Sequence, residues 1–595
     1  MRVLERLPLW RLHSRMPLWL RIAIAAVSIG LGAVIIIRPT TALDVLALLL
    51  GGGMVLTGIL ELTGRTDDDE RPRWRSAIGV AWLVAGAFIL FWPGLTVRLV
   101  AVLVGLLLMF NGGVGVVSAF RRGRTWDQRV SDAAFGASGI LFGIFALGWP
   151  DITLLVVAVV FGAWLIMRGS AGLWNALRRR RAHTPEDAPD PPWRRWGRTA
   201  LAIGAVALAV ATVLVTSPLR EASTVIDAFY AAPRDTPSEP GRLVRAEPFT
   251  RDIPANAQGW RILYTTTGVD GENRVASALV VVPLEGDGRW PVIDWNHGTT
   301  GYAQHCAPSL QERPLWSGAM YLTRQVINEG WAIVATDYIG LGTAGPHPYL
   351  IGPPSASASL DAVRAARELD DADLGASTVV WGHSQGGGAA LWTGSMARSY
   401  AAEVWVRGVA ALAPASDPLT LVDGVSAITG GSIFASFAFE SFESIYPDVT
   451  ARRYIRPGAQ PIVEAMAARC LSDPGTVVSV LAALGMSRDP VIFAADPTVG
   501  TLARHLRTNI APLTTTAPLL IAQGTSDSII DPASQDAFVA RLCDAGTPVD
   551  YRTYAGMEHT ALVERPSPLT EELFEWTRAR FAGEPYPTEC TRSDR

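Results

Sequence analysis

Ser384 lies in Gly382-His383-Ser384-Gln385-Gly386, which follows the apolar run Thr378-Val379-Val380-Trp381 and leads into the small residues Gly386 to Ala390. This reads as a strand, a sharp turn with serine at its tip, and then a helix. Glycines two places before and after the serine let strand and helix pass closely, while Ser384 takes a strained backbone conformation with its Oγ exposed. Such a serine can act as a nucleophile if it finds a base, an acid to orient that base, and an oxyanion hole. In a chain with 56 glycines the bare Gly-x-Ser-x-Gly pattern is weak, and its surroundings must carry the argument.

Elbows of this kind take their partners in the chain order Ser, Asp, His. Beyond Ser384 the histidines are His505 and His559. His505 lies in a helical pattern and precedes Asp527, so order selects His559, which follows an expected strand near the C-terminus. Asp527 comes just past the run Leu519 to Gln523, where the acid is wanted. Its competitor Asp531 precedes Pro532 and reads as a helix start. The backbone N–H of Gln385, directly after the nucleophile, is one expected oxyanion donor. The turn Asn296-His297-Gly298-Thr299 offers the other, with Thr299 the expected donor, His297 positioning the loop and His383 filling the variable site of the elbow. This chemistry calls for no cofactor or metal.

The elements that must hold these groups are short β-rich runs alternating with helical stretches from about Val225 onward. Expected strands are 261–267, 276–282, 292–295, 332–337, 378–381, 408–413, 519–523 and 549–554. The later ones are continuous Val/Ile/Leu/Ala runs, as in parallel strands buried on both faces. A doubly wound, mostly parallel α/β-hydrolase sheet over 225–595 is the natural architecture. All four cysteines, Cys306, Cys470, Cys543 and Cys590, fall in this half, without the C-x-x-C spacing of a zinc site. Two disulfides in an oxidising compartment fit them, with four buried thiols as the alternative.

Gly330-Trp331-Ala332, Asp337-Tyr338-Ile339-Gly340-Leu341-Gly342, Gly345-Pro346-His347-Pro348-Tyr349 and Cys306-Ala307-Pro308-Ser309 together resemble the secretory lipase family, over about Asp227 to Cys590. The resemblance implies a triacylglycerol lipase or esterase whose triad falls on Ser384, Asp527 and His559. It also implies disulfides Cys306 to Cys470 and Cys543 to Cys590, and a cap, here about 417–512. The cap is rich in Phe434, Phe437, Phe439 and Phe442, which fit either its core or an acyl-chain tunnel.

The first third is different. The whole chain is 49% hydrophobic and 18% charged with mean hydropathy +0.24, too apolar for an ordinary soluble protein, and nothing in it implies a nucleic-acid partner. Apolar segments at 18–37, 42–62, 77–92, 99–120, 133–149, 152–174 and 200–215 are each near the length that crosses a bilayer. The first six form three hairpins with turns at Arg38-Pro39-Thr40, Trp92-Pro93-Gly94 and Trp149-Pro150-Asp151, and Thr57-Gly58, Asn111-Gly112 and Arg168-Gly169 recur at one offset from those prolines. Glycine there suits close helix packing, and the polar group beside it suits snorkelling to the interface better than a transport path. The unit resembles the HdeD-like acid-resistance membrane protein family, which implies no catalytic residue.

Arginine clusters in the N-terminal stretch and in the loops 65–75, 121–129 and 178–198, while the proline turns are nearly uncharged. By the positive-inside rule the N-terminus and those loops are cytoplasmic. The expected order is a six-helix unit over 1–181, a cytoplasmic linker over 182–198, a seventh span over 199–217, and an extracytoplasmic hydrolase beside a bilayer that supplies a lipid or ester substrate. An acyltransferase with the same triad, or a membrane stress or structural protein carrying a non-catalytic module, are the competing readings.

Overall fold

The computed structural model describes residues 18–63, 73–121, 125–177, 192–221 and 225–595, apart from 287, 429, 473 and 488–490. The basic N-terminal stretch, most of the loop 65–75, residues 122–124, the arginine run 178–181 and linker residues 182–191 lie outside the described residues. The chain divides into two compact units. The first takes in the helices up to Pro218 with two short segments, Ile455–Ile462 and Leu481–Ile492; the second holds the rest of the chain.

Unit one contains α1 (Leu18–Ile37), α2 (Pro39–Thr63), α3 (Arg73–Phe91), α4 (Pro93–Ala119), α5 (Trp126–Gly148), α6 (Pro150–Leu177) and α7 (Pro192–Glu221). A single residue, Arg38, Trp92 or Trp149, separates the helices of each hairpin. Proline then opens the next helix, where its missing N–H has no intrahelical partner to lose. Counting from these prolines, Gly32, Gly86 and Gly143 stand seven residues before, and Gly51, Gly105 and Gly162 twelve after. Ala25, Gly79 and Gly136 stand fourteen before, and Gly58, Gly112 and Gly169 nineteen after. All twelve are buried.

A seven-residue period is close to two helical turns, so each helix carries a stripe of small residues on one face. The stripes decide the packing. Gly51 and Gly58 of α2 meet Gly86 and Gly79 of α3, Gly105 and Gly112 of α4 meet Gly143 and Gly136 of α5, and Gly162 and Gly169 of α6 return to Gly32 and Ala25 of α1. The extensive contacts thus join successive hairpins, α2 to α3, α4 to α5 and α6 to α1, rather than the two helices within each hairpin. α2, α4 and α6 also touch one another, which closes a ring of three. Leu43, Val97 and Leu154, four residues after each proline, are buried with Ala47 and Ala101 in one apolar cluster that α2, α4 and α6 share.

The polar residues beside the second set of glycines turn outward. Thr57 Oγ1 donates to Gly53 O at 2.7 Å, Asn111 Nδ2 donates to Leu107 O at 2.8 Å, and the Arg168 guanidinium lies 5.2 Å from the Trp164 ring centre, each four residues back on its own helix. Large apolar side chains such as Val84, Phe110 and Val160 are more than half exposed. Among the described residues, Leu18–Ile37, Val97–Ala119, Trp126–Gly148 and Pro150–Trp174 are long and apolar enough to cross a membrane; Ala77–Phe91 and Thr199–Val215 are shorter apolar helices.

Unit two is built on a ten-stranded mixed sheet in the order β1-β2-β3-β5-β4-β6-β7-β8-β9-β10. The strands are β1 (Leu243–Pro248), β2 (Ala257–Thr267), β3 (Asn273–Pro283), β4 (Trp290–Asn296), β5 (Ala332–Ile339), β6 (Leu374–His383), β7 (Trp405–Leu412), β8 (Leu519–Gly524), β9 (Val549–Tyr554) and β10 (Thr591–Asp594). β1 to β3 and the β3/β5 pair are antiparallel, and every pair from β5 through β4 to β10 is parallel. Of the helices, α8 (Gly352–Ala366), α9 (Gln385–Tyr400), α10 (Gly431–Ile445), α11 (Gly500–Thr508), α12 (Pro532–Asp544) and α13 (Pro568–Ala582) matter to the site.

Alternation in β6 divides the core. Val379 and Trp381 pack with Phe574 and Trp576 of α13, whereas Val380 packs with Leu391 of α9 and Phe538 of α12 on the opposite face. The sheet is therefore covered on both sides. Between β7 and β8 the chain leaves the sheet for a helical insertion that includes α10 and α11. Phe437, Phe439 and Phe442 of α10 are buried at 2% exposure or less, so these three of the four cap phenylalanines form its core.

Candidate active site

Where β6 ends and α9 begins, Ser384 takes φ 58° and ψ −120°, a left-handed conformation that a residue with a Cβ rarely adopts. Its peptide groups hold it there. Ser384 N–H donates to Leu412 O at 3.0 Å, and Ser384 O accepts from Gly388 N at 3.1 Å and Ala415 N at 2.9 Å. A Cβ on Gly386 would strike the carbonyl of Asn296, so glycine is required where the elbow crosses the loop after β4.

Asp527 follows β8 with its side chain fully buried. Oδ1 accepts from Ile529 N at 2.9 Å and Ile530 N at 2.8 Å; Oδ2 accepts from Gln523 Nε2 at 3.0 Å and from His559 Nδ1–H at 2.8 Å. Burial alone would raise this carboxyl, but the hydrogen bond and charge of His559, with the two backbone N–H groups, hold it below the usual carboxylate range. With Nδ1–H committed to Asp527, a neutral His559 keeps its lone pair on Nε2, the form that a general base needs.

Among the described residues no hydrogen bond joins Ser384 Oγ to His559. The residue before Ser384 reaches His559 instead: His383 Nε2–H donates to His559 O at 3.0 Å, and the two rings lie 4.6 Å apart. The sequence suggested no such partnership, since the pair is 176 residues apart.

Gln385 opens α9 ahead of the first intrahelical bond, so its N–H belongs to the unpaired first turn. Its side chain is fixed by His347. Burial pushes His347 down to about 3, its Nδ1–H donates to Ile339 O at 3.1 Å, and its Nε2 accepts from Gln385 Nε2–H at 3.0 Å. Ser441 of α10 donates to the backbone carbonyl of His347 at 3.0 Å, and Thr299 Oγ1 meets Tyr349 OH at 3.0 Å. The segment His347–Tyr349 thereby touches the elbow, the loop of Thr299 and the cap at once. Neither His347 nor its role was visible in the sequence beyond the Gly-Pro-His-Pro-Tyr motif itself.

The remaining candidates are elsewhere. His297 is buried with Nδ1 against Gly298 O and Nε2 against Asp337 O, and burial lowers it to about 4. His505 lies on α11, 2.8 Å from Asp448 and stacked on Tyr446. Asp531 caps α12, accepting from Ala533 N and Ser534 N. Disulfides join Cys306 to Cys470 and Cys543 to Cys590. A cavity of about 370 Å³ opens beside Asp527, lined also by Ala415, Ser416, Leu421 and Ile529.

Comparison with known proteins agrees with the fold of unit two. Residues 317–588 match the family model described as secretory lipase, a shorter stretch than the motifs implied, since Cys306-Ala307-Pro308-Ser309 lies outside it. Residues 23–77, 77–145 and 134–216 match a short repeat of unknown function, DUF308. A secreted triacylglycerol lipase of Malassezia globosa is 26% identical over 62% of this chain and 82% of its own length. A protein of Mycobacterium tuberculosis named a probable inactive lipase is 26% identical over 60% of this chain and 82% of its own. The closed-state structure of Candida antarctica lipase A is 21% identical with a TM-score of 0.50, covering 61% of this chain and 87% of that one, and shares the fold. The C-terminal half of the chain thus carries a stretch that matches the secretory lipase model, and its first third carries three matches to the DUF308 repeat.

Proposed function

We propose that the C-terminal half, 225–595, is a serine hydrolase of carboxylic esters, with lipid esters as its substrate class. The helices of the first third, six over 1–181 and a seventh over 199–217, would hold it at a membrane with the hydrolase outside the cytoplasm. The observations that carry the reading are the buried His559–Asp527 pair, the strained backbone of Ser384, and the bond from His383, the residue before Ser384, to the His559 carbonyl. The name of the Malassezia relative, a triacylglycerol lipase, supports the substrate class. The arginine-rich loops and two disulfides support the outward placement.

In this mechanism Ser384 Oγ attacks the ester carbonyl carbon as its proton passes to His559 Nε2. Asp527 steadies the imidazolium so formed, and the N–H groups of Gln385 and Thr299 receive the negative charge on the carbonyl oxygen. The carbon–oxygen bond to the alcohol then breaks, and the alcohol leaves with the proton from His559. Water repeats the sequence on the acyl-serine, giving up a proton to His559 and releasing the acid, which restores Ser384.

The test is hydrolysis of p-nitrophenyl esters of graded chain length by the full chain in detergent micelles, beside Ser384→Ala. A rate at least ~10³-fold lower in the variant is expected. Equal rates would sink the assignment. The name of the mycobacterial relative favours one alternative, a non-catalytic binding module, and a wild-type chain inert on every ester would select it.

A further inference from the structure

His383 is 2% exposed, yet it presents two ring nitrogens to the interior. Nε2–H donates to the carbonyl of His559 at 3.0 Å. A carbonyl can only accept, so Nε2 carries the proton and Nδ1, in the neutral ring, keeps its lone pair. That Nδ1 is buried without a hydrogen-bond partner. It faces Gly298: a Cβ built there would lie 3.4 Å from Nδ1, ordinary contact distance, so the ring is packed against the turn that precedes Thr299. The imidazole also lies beside that of His559, with ring centres 4.6 Å apart and planes tilted by 40°. One side chain, next to the nucleophile in sequence, therefore touches the loop of the base and the loop of the oxyanion donor.

A leucine or phenylalanine would fill this space with no unpaired ring nitrogen, but it would leave the His559 carbonyl without its donor. The imidazole offers something that an apolar side chain lacks, namely a donor to a backbone carbonyl on the loop of His559. The Asp527 bond orients that ring about its own axis but does not fix the height of its loop above the elbow. A bond from the residue adjoining Ser384 ties that loop to the strand on which the nucleophile stands.

We infer that His383 is a positioning residue, which through Nε2–H and its ring face sets His559 and the Gly298 turn against Ser384. The inference rests on the serine-hydrolase reading given above. Burial and the neighbouring His559 lower His383 to about 3, so it remains a neutral donor while His559 takes and returns its proton. A second cation at that distance would oppose the imidazolium that the mechanism requires.

Two variants separate positioning from filling. His383→Phe keeps an aromatic ring but has no donor, whereas His383→Gln places an amide N–H near the position of Nε2. Assayed as full chains on one p-nitrophenyl ester, with melting temperatures measured in parallel, His383→Phe is expected to lose ~10–100-fold in kcat with KM within about twofold. His383→Gln is expected to recover kcat to within about fivefold of wild type, whichever of the two melts lower. Full kcat in His383→Phe overturns the inference, as does equal loss in both variants. Ser384→Ala run alongside tells the two failures apart: an inert wild type defeats the hydrolase reading and this inference with it, while an active wild type beside a fully active His383→Phe defeats this inference alone.

Discussion

Ser384 keeps its left-handed backbone because neighbouring groups bond both its N–H and its carbonyl, and two of them, Leu412 O and Ala415 N, belong to β7 and the loop beyond it. The strain at the nucleophile is thus maintained by the register of the adjacent strand. Asp527 is placed with equal firmness, and its carboxyl, lying below the usual range, is ionised from weakly acid pH upward. A carboxyl lowered on folding stabilises the fold above its unfolded pKa of about 4 and loses that contribution as pH falls through the lower folded value. Asp527→Asn is therefore expected to lower kcat ~10³–10⁴-fold by releasing the His559 tautomer, a loss still present at pH 9, when kcat/KM is followed from pH 5 to 9. The pairing of Asp527 with His559 was legible in the sequence because the elbow motif and chain order leave few choices. His383 and His347 were not, because a single histidine gives no sign of a partner 176 or 38 residues away.

At the scale of elements, legibility followed burial. The strands β4 to β8 are mainly apolar and β9 alternates as Val-Asp-Tyr-Arg-Thr-Tyr, and all were found to within a few residues, whereas β1 and β10 at the sheet edges read as Leu-Val-Arg-Ala-Glu-Pro and Thr-Arg-Ser-Asp and passed unnoticed. An edge strand buries too little to show an apolar period. The helices of unit one were found for the opposite reason: hydropathy marks a helix, and the spacing of its small residues marks what it packs on. Gly112 and Gly113 make the test. A Cβ on Gly112 would sit 2.6 Å from Gly136 O, while none of the structure lies within 4 Å of one on Gly113. Gly112→Ala is expected to lower the melting temperature in detergent micelles, from an overpacking cost of about 1–3 kcal/mol. Gly113→Ala should be neutral or raise it, because alanine is the better helix former by about 1 kcal/mol.

For the whole molecule, placement decides whether the chemistry meets a substrate. An active site outside the cytoplasm predicts that a protease added to intact cells removes the C-terminal half and leaves the helical part attached to the membrane; full protection of that half would reverse the orientation. The ring in unit one has its own arithmetic. Each hairpin offers one glycine face forward and one backward, and the third hairpin uses its forward face on the first. Three is thus a closing number. A chain with one hairpin deleted would carry two bare faces that fit each other across molecules, and what is now a finished circle would become a link capable of joining an open string in the membrane.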